Sequence, residues 1–422
     1  MKKVIKVLAA VGLTMAVLSG CNEKSNPNEL TVWSFTDELD GIIKNYYNPA
    51  HPEMNVKYSM TPTDQFPNKL DPVISSGNGC PDVFAMDAAF VRKYVESGLL
   101  LELDDIYEEI KDKMAEYPMK IGSHNGHVYA MSWQMAPGAL FYRRSLAKKY
   151  LGTDDPAEVQ KYVENLDKFI ETAGVLKEAS KGKCLMVSSA ADLLMPYKGA
   201  RKDPWVINDQ LVIDPAMDAY MDMCKVLRDN GYEGRVAQWS EGWFAGMKDN
   251  LMDDKGNPVE VFCYFLPTWG LHYTLKPNSA GTPADNDWAM CAGPAPYFWG
   301  GTWLAAYKGT KNPAGAKEMI KFIASDDDYL EKHALQSGDL VGNMKVVNKI
   351  KDTYSEPFLQ GQNHYAEFAE MAKTIDGSLI QGTDQQIEQI FNEAVAAYQN
   401  GEKTKVQAMI DFKKEVASAM NF

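Results

Sequence analysis

Leu30-Thr31-Val32-Trp33-Ser34-Phe35-Thr36-Asp37-Glu38-Leu39 begins the strand-and-helix alternation that decides the fold. Leu30 to Phe35 reads as a strand. Leu39, Ile42, Ile43, Tyr46 and Tyr47 then recur at the spacing of one helix face, and Pro49 closes that helix. Val56, Tyr58 and Met60 alternate as a second strand. Phe66, Leu70, Val73 and Ile74 mark a second helix, stopped by Gly77-Asn78-Gly79. Asp82 to Met86 makes a third strand, and a helix through Tyr94 ends at Gly98. Such alternation predicts an α/β fold with mostly parallel sheets flanked by helices. Ligands of such sheets sit beyond the carboxyl ends of the strands, here Phe35 to Glu38 and Met86-Asp87.

Downstream, Asn125-Gly126 is a tight-turn pair that predicts a hairpin leading into Val128 to Met131. Residues 145–235 read as helical and polar. Residues 236–303 hold six of the nine tryptophans, among many Gly and Pro. Helical periodicity returns at Ile387 to Tyr398 and Val406 to Val416.

Upstream, residues 1–20 have the form of a secretory leader: Lys2, Lys3 and Lys6, then an apolar run from Val7 to Leu18. That run is shorter than the roughly 20 apolar residues of a spanning helix. Leu18-Ser19-Gly20-Cys21 resembles a bacterial lipobox, which makes Cys21 the expected lipidation site and residues 21–27 a polar tether. Two acyl chains on such a cysteine suffice for stable anchoring. The chain is then expected on the outer face of the cell membrane, touching it through the lipid alone.

With a net charge of −14, the chain is a poor candidate for nucleic acid. Its length predicts two lobes rather than one core. Cys80, Cys184, Cys224, Cys263 and Cys291 are scattered without any C-x-x-C pair, so neither a disulfide framework nor a zinc site is expected.

No catalytic set is legible. There is no G-x-S-x-G, Walker loop or H-E-x-x-H. Ser145 and Lys148 match S-x-x-K without its companion motifs, and Ser145 suits a helix cap. His124 and His127 flank the Asn-Gly turn without a third ligand. The expectation is a non-enzyme with no catalytic residue, no cofactor and no metal. The tryptophans in Gly- and Pro-bearing loops offer flat platforms for the apolar face of a sugar, with neighbouring Asp, Asn and Gln for its hydroxyls.

Four motifs carry a resemblance. They are the opening strand and loop at 30–39; Ser75-Ser76-Gly77 with Pro81-Asp82-Val83-Phe84 and Tyr94-Val95-Glu96-Ser97-Gly98-Leu99-Leu100; Gly126 to Trp133 with Phe141 to Arg144; and Gly300-Gly301-Thr302-Trp303-Leu304 with Lys311-Asn312-Pro313. In this order they resemble the extracellular solute-binding proteins of bacterial ABC carbohydrate importers, in their maltose-binding-protein-like, lipoprotein form. The resemblance implies two α/β lobes joined by three crossings, with a ligand cleft between them. Lobe 1 would be 28–135 and 300–346, and lobe 2 would be 136–299 and 347–422. It implies a carbohydrate ligand, an ABC importer permease as partner, and a monomer.

Site residues follow from the same resemblance. Phe35, Thr36, Asp37 and Glu38 fall in the first ligand loop, and Met86 and Asp87 follow the Pro-Asp strand. Trp269 falls where a stacking aromatic is expected, and Trp299, Gly301, Thr302 and Trp303 lie at a crossing. Asp384 ends a further ligand loop. Trp133 either lines the cleft or packs in the hinge. Met86 stands where the maltodextrin binders carry tryptophan, so maltodextrin specificity is not implied. The alternatives are a lipid-anchored glycoside hydrolase or lyase, and the same fold with a peptide or organic-anion ligand.

Overall fold

β1 (Glu29–Ser34) buries Leu30 and Val32 completely, and β2 (Asn55–Met60) pairs parallel beside it with Val32 opposite Tyr58. β3 (Val83–Asp87) joins the other side of β1, also parallel. The computed structural model describes residues 26–420, so the leader and Cys21 lie outside the described residues. Between β1 and β2 the helical segment runs from Glu38 to Ala50, with a wider turn at Ile43–Tyr47. It buries Leu39, Ile42, Ile43 and Tyr47, the apolar face expected from spacing. The next helix, Phe66–Ser76, buries Phe66, Leu70 and Ile74 and stops at Gly77, whose φ of 71° is the left-handed cap that glycine adopts freely.

The first sheet is completed from elsewhere in the chain. β4 (Met131–Ser132) precedes the first crossing, which enters β5 (Gly138–Arg143) of a second sheet. That sheet also contains β6 (Cys184–Val187), β7 (Pro258–Pro267) and β8 (Trp288–Cys291). The chain returns through β9 (Thr302–Ala306), which inserts between β3 and β4, giving the order β2-β1-β3-β9-β4. Both β9 ladders are antiparallel, as are β5–β7 and β5–β8, while β6 runs parallel to β7. The parallel pairing expected from sequence thus describes the helix-connected strands β1 to β3 and the β6–β7 pair. β9, which reaches the first sheet from the other lobe and not through a helical crossover, pairs antiparallel on both sides.

Insertion of β9 next to β3 has a direct effect on three expected site residues. Met86 faces Trp303 across the β3–β9 ladder, and both are buried, at 0% and 1% exposure. The Trp303 indole N–H donates to the Pro118 carbonyl at 2.8 Å. Trp133, directly after β4, is fully buried as well. All three fill the first core, because a strand covered on both faces buries every side chain in its middle. They belong to the packing of the fold rather than to the wall of the cleft.

The crossings lie side by side. Pro137 bridges to Phe298, and Gln134 bridges to Val341. The helix Met344–Ile350 packs on the helix Asp327–Ser337, whereas His364–Ala372 packs on β5 through Phe368 and Phe141. The last two helices, Asp384–Gln399 and Lys405–Met420, pack on each other, and the first of them on Pro215–Asp229. The Asn125-Gly126 turn closes the expected hairpin between Ser123–His124 and His127–Val128. Cys184, Cys224, Cys263 and Cys291 are buried free thiols. No described helix is long and apolar enough to cross a membrane.

Candidate ligand-binding cleft

The loop after β1 is held by its own short-range hydrogen bonds. Ser34 Oγ donates to the Thr36 carbonyl at 3.0 Å and accepts the Thr36 N–H at 3.1 Å, while the Tyr58 hydroxyl donates to that same carbonyl. Phe35 anchors the loop edge-on against Phe66 and Phe90, with ring centroids 6.4 and 6.0 Å away. Asp37 precedes the helix without capping it, which leaves its exposed carboxylate to face the cleft. Glu38 accepts a hydrogen bond from the Gln134 amide at 3.3 Å.

Asp87 ends β3 and accepts the Ala89 N–H at 2.8 Å. Burial pushes its carboxyl up to about 6, against the pull of that N–H and of Lys198. Across the β3–β9 ladder it faces Thr302.

Opposite these acids stand three tryptophans. Trp269 follows β7 and stacks nearly parallel on Trp239, at 6.2 Å and 15°. Its indole N–H donates to the Trp299 carbonyl at 2.8 Å, and the Trp299 ring meets it edge-on. Gly300 lets this pair close: it has φ of 71°, and a Cβ there would lie 2.9 Å from Trp269 Nε1. Trp239 is the exposed member, at 44%, and sits in a left-handed backbone conformation with φ of 67°. Behind it Trp243 is fully buried and donates its indole N–H to Asp192 at 2.9 Å. Burial pushes Asp192 up to about 7.

The acids and the tryptophans enclose one cavity of about 670 Å³. It brings together Phe35, Thr36, Asp37, Glu38 and Asp87 with Trp269, Trp299, Gly301 and Thr302, nine of the residues singled out from sequence. Asp384 is not among them. It lines an adjoining chamber of about 430 Å³ that shares Asp87, Trp299 and Gly300 with the first. There it lies 3.6 Å from Arg201, and burial with the neighbouring Glu388 pushes it up to about 7. Thr63, Gln134, Trp239 and Tyr273 also line the main cavity and were not singled out. Trp239 belongs to the tryptophan-rich stretch, but nothing in its immediate sequence separates it from Trp243, which is core.

The arrangement suits a neutral, hydroxyl-rich ligand. Flat indole faces take an apolar ring face, and carboxylates on the other side accept hydroxyl hydrogen bonds. Among the described residues, the acids of the main cavity have no nucleophile–base–orienter constellation beside them that would mark an acyl-transfer site.

Comparison with known proteins bears on the family and the fold. A family profile described as "Bacterial extracellular solute-binding protein" matches residues 43–357. The arabinooligosaccharide-binding protein of Bacillus subtilis (strain 168) is 25% identical over 164 residues, which are 35% of this chain and 37% of that protein. A solved structure of an extracellular solute-binding protein family 1 member superposes with a TM-score of 0.80 at 18% identity, over 93% of this chain and 99% of the other. The galacto-N-biose-/lacto-N-biose I-binding protein of an ABC transporter from Bifidobacterium longum, in complex with lacto-N-biose, gives 0.73 at 18% identity, over 93% and 98%. These likenesses establish the two-lobed binding-protein fold. With three quarters of its length under the profile, the chain belongs to the bacterial extracellular solute-binding protein family.

Proposed function

We propose that the protein captures an oligosaccharide between its two lobes and delivers it to the permease of an ABC importer. The observation that carries this reading is the opposition of Trp239, Trp269 and Trp299 to Asp37, Glu38 and Asp87 across one cavity. Two or three stacking contacts at about 1 kcal/mol each, with several charge-assisted hydrogen bonds at about 1.5–3 kcal/mol, exceed the roughly 8 kcal/mol of micromolar binding before association costs. The second chamber, which shares Asp87, Trp299 and Gly300 with the first, supports a ligand of more than one sugar unit. Lacto-N-biose in the Bifidobacterium longum relative and the arabinooligosaccharide named for the Bacillus subtilis relative support the same class.

The anchor is part of the proposal: Cys21 carries the lipid, and the folded chain works as a monomer on the outer face of the membrane. So are the lobe limits taken from sequence. Packing of Met344–Ile350 on Asp327–Ser337 supports moving the last limit from 346 to beyond Ile350. The hydrolase alternative loses support, since the matched family is one of binding proteins.

A thermal-shift screen against neutral oligosaccharides, with product analysis by chromatography, tests the reading. A rise in Tm with an intact ligand is expected. Cleavage of the ligand, or no shift with any neutral sugar while a peptide or organic anion gives one, would overturn it.

A further inference from the structure

We propose that Glu38, His333 and Asp339 hold a divalent transition-metal cation at the floor of the cleft. The three come from separate parts of the chain: the start of the first helix, the helix Asp327–Ser337, and the segment just after it. Glu38 Oε1 lies 3.4 Å from His333 Nε2, which lies 4.0 Å from Asp339 Oδ2. One ligand atom from each falls within 4.8 Å of the others. Around a cation with bonds of about 2.1 Å, tetrahedral ligand atoms stand roughly 3.4 Å apart. The first spacing already fits, and the second closes by a small side-chain rotation.

What points to a cation is the state of these atoms. Among the described residues, no group makes a well-formed hydrogen bond to Glu38 Oε1, His333 Nε2 or either oxygen of Asp339, although the Thr268 hydroxyl and the Leu340 N–H lie beside Asp339. Asp339 is 1% exposed and His333 7%. A buried carboxylate without partners is costly and is tolerated when paired, protonated or bound to metal. Among the described residues, His333 is the one histidine, lysine or arginine within ion-pair distance of either carboxylate. Two carboxylates and an imidazole balance a divalent charge, and a mixed N/O set suits Zn²⁺ or Mn²⁺ better than Ca²⁺ or Mg²⁺, which prefer oxygen alone.

Two other clusters lack this combination. Glu102, Asp104 and His127 lie at the surface, with His127 hydrogen-bonded to Asp104 at 2.7 Å. His272, Glu356 and His364 already have the Lys276 ammonium 3.0 Å from Glu356, and the two imidazoles face each other at 3.2 Å. Among the described residues, the cleft-floor cluster differs from both in that no lysine or arginine pairs with either acid and that Glu38 Oε1 and both Asp339 oxygens stay without a well-formed hydrogen bond. Access is through the cleft, because Glu38 lines the cavity while Asp339 sits behind it. The ion would engage Glu38 Oε1 and leave Oε2 for Gln134 and for a solute. This inference does not depend on what that solute is.

The rival state is a proton held between the two carboxyls, since burial and Glu38 push Asp339 well above the usual range. Calorimetric titration of the EDTA-stripped protein with ZnCl₂ and with MnCl₂ separates the two. One site per chain is expected, weakened at least tenfold by Asp339→Asn and by His333→Ala and unchanged by His127→Ala. Metal should also raise Tm in the wild type and leave Asp339→Asn unmoved. The near-isosteric Asp339→Asn and Glu38→Gln keep the test decisive if His333→Ala fails to fold. Absence of stoichiometric binding, or binding lost only with His127→Ala, would overturn the proposal and leave the shared proton.

Discussion

The indole N–H of Trp269 donates to the carbonyl oxygen of Trp299 at 2.8 Å, and this one bond ties the end of β7 to the crossing that leads into β9. It turns the Trp269 face toward Trp239 and fixes the aromatic wall of the cleft relative to the hinge. The next residue after Trp299 is Gly300, and the fit depends on it.

Gly300→Ala is therefore expected to destabilise the protein by about 1–2 kcal/mol, from strain at a positive φ and from contact with Trp269 Nε1. Urea unfolding of wild type and variant measures it. A change below a few tenths of a kcal/mol would mean that the Trp269–Trp299 bond yields at no cost.

Asp192 gives a pH signature. Its folded-state pKa, about 7, lies above the unfolded value of roughly 3.9. The folded form holds the proton more tightly, so this group's contribution to stability falls as pH rises from about 4 to about 7. Asp192→Asn keeps an oxygen to accept from Trp243 and Gln238, which donate at 2.9 Å each. Its stability relative to wild type should increase between pH 5 and pH 8 by at least about 1 kcal/mol. Equal pH profiles would contradict the buried, raised carboxyl.

Cys21→Ala should abolish incorporation of a palmitate analogue and move the protein out of the membrane fraction. Undiminished labelling of the variant would exclude Cys21 as the acceptor.

Closure of the cleft should accompany ligand binding. Acids on one lobe and Trp269 on the other both contact a ligand fully only when the lobes approach, so the ligand favours the closed state. Shifting the population from 1:99 to 99:1 takes about 5.5 kcal/mol of differential binding. Small-angle scattering should show a smaller radius of gyration with the cognate sugar. An unchanged profile at saturation would point to a preformed site.

Strand and helix periodicity made the first three strands legible, and with them the loop at Phe35 to Glu38 and the position of Asp87. The aromatic wall was legible as composition, but not residue by residue. Trp239, Trp269 and Trp299 line the cavity while Trp243, Trp288 and Trp303 are core, and each set sits among similar Gly and Pro neighbours. For Trp303 the difference is made by β9, which enters the first sheet from the far lobe and sets that side chain in the ladder opposite Met86. That pairing spans more than two hundred residues of chain, and no local pattern encodes it. The same holds for His333 and Asp339, which meet Glu38 only in the folded protein. Asp384, expected from the resemblance at the end of a ligand loop, is the first residue of the helix Asp384–Gln399 and lines the second chamber instead of the main cavity.

Capture of a sugar on the tryptophan wall is measured by calorimetry with the best neutral oligosaccharide from the screen, comparing wild type with Trp239→Ala and Trp269→Ala. Trp239 is 44% exposed, and its replacement should leave the fold intact by circular dichroism. Micromolar binding by the wild type and a loss of tenfold or more in each variant, about 1.4 kcal/mol, are expected. Wild-type affinity in both folded variants would contradict a ligand stacked on this tryptophan wall.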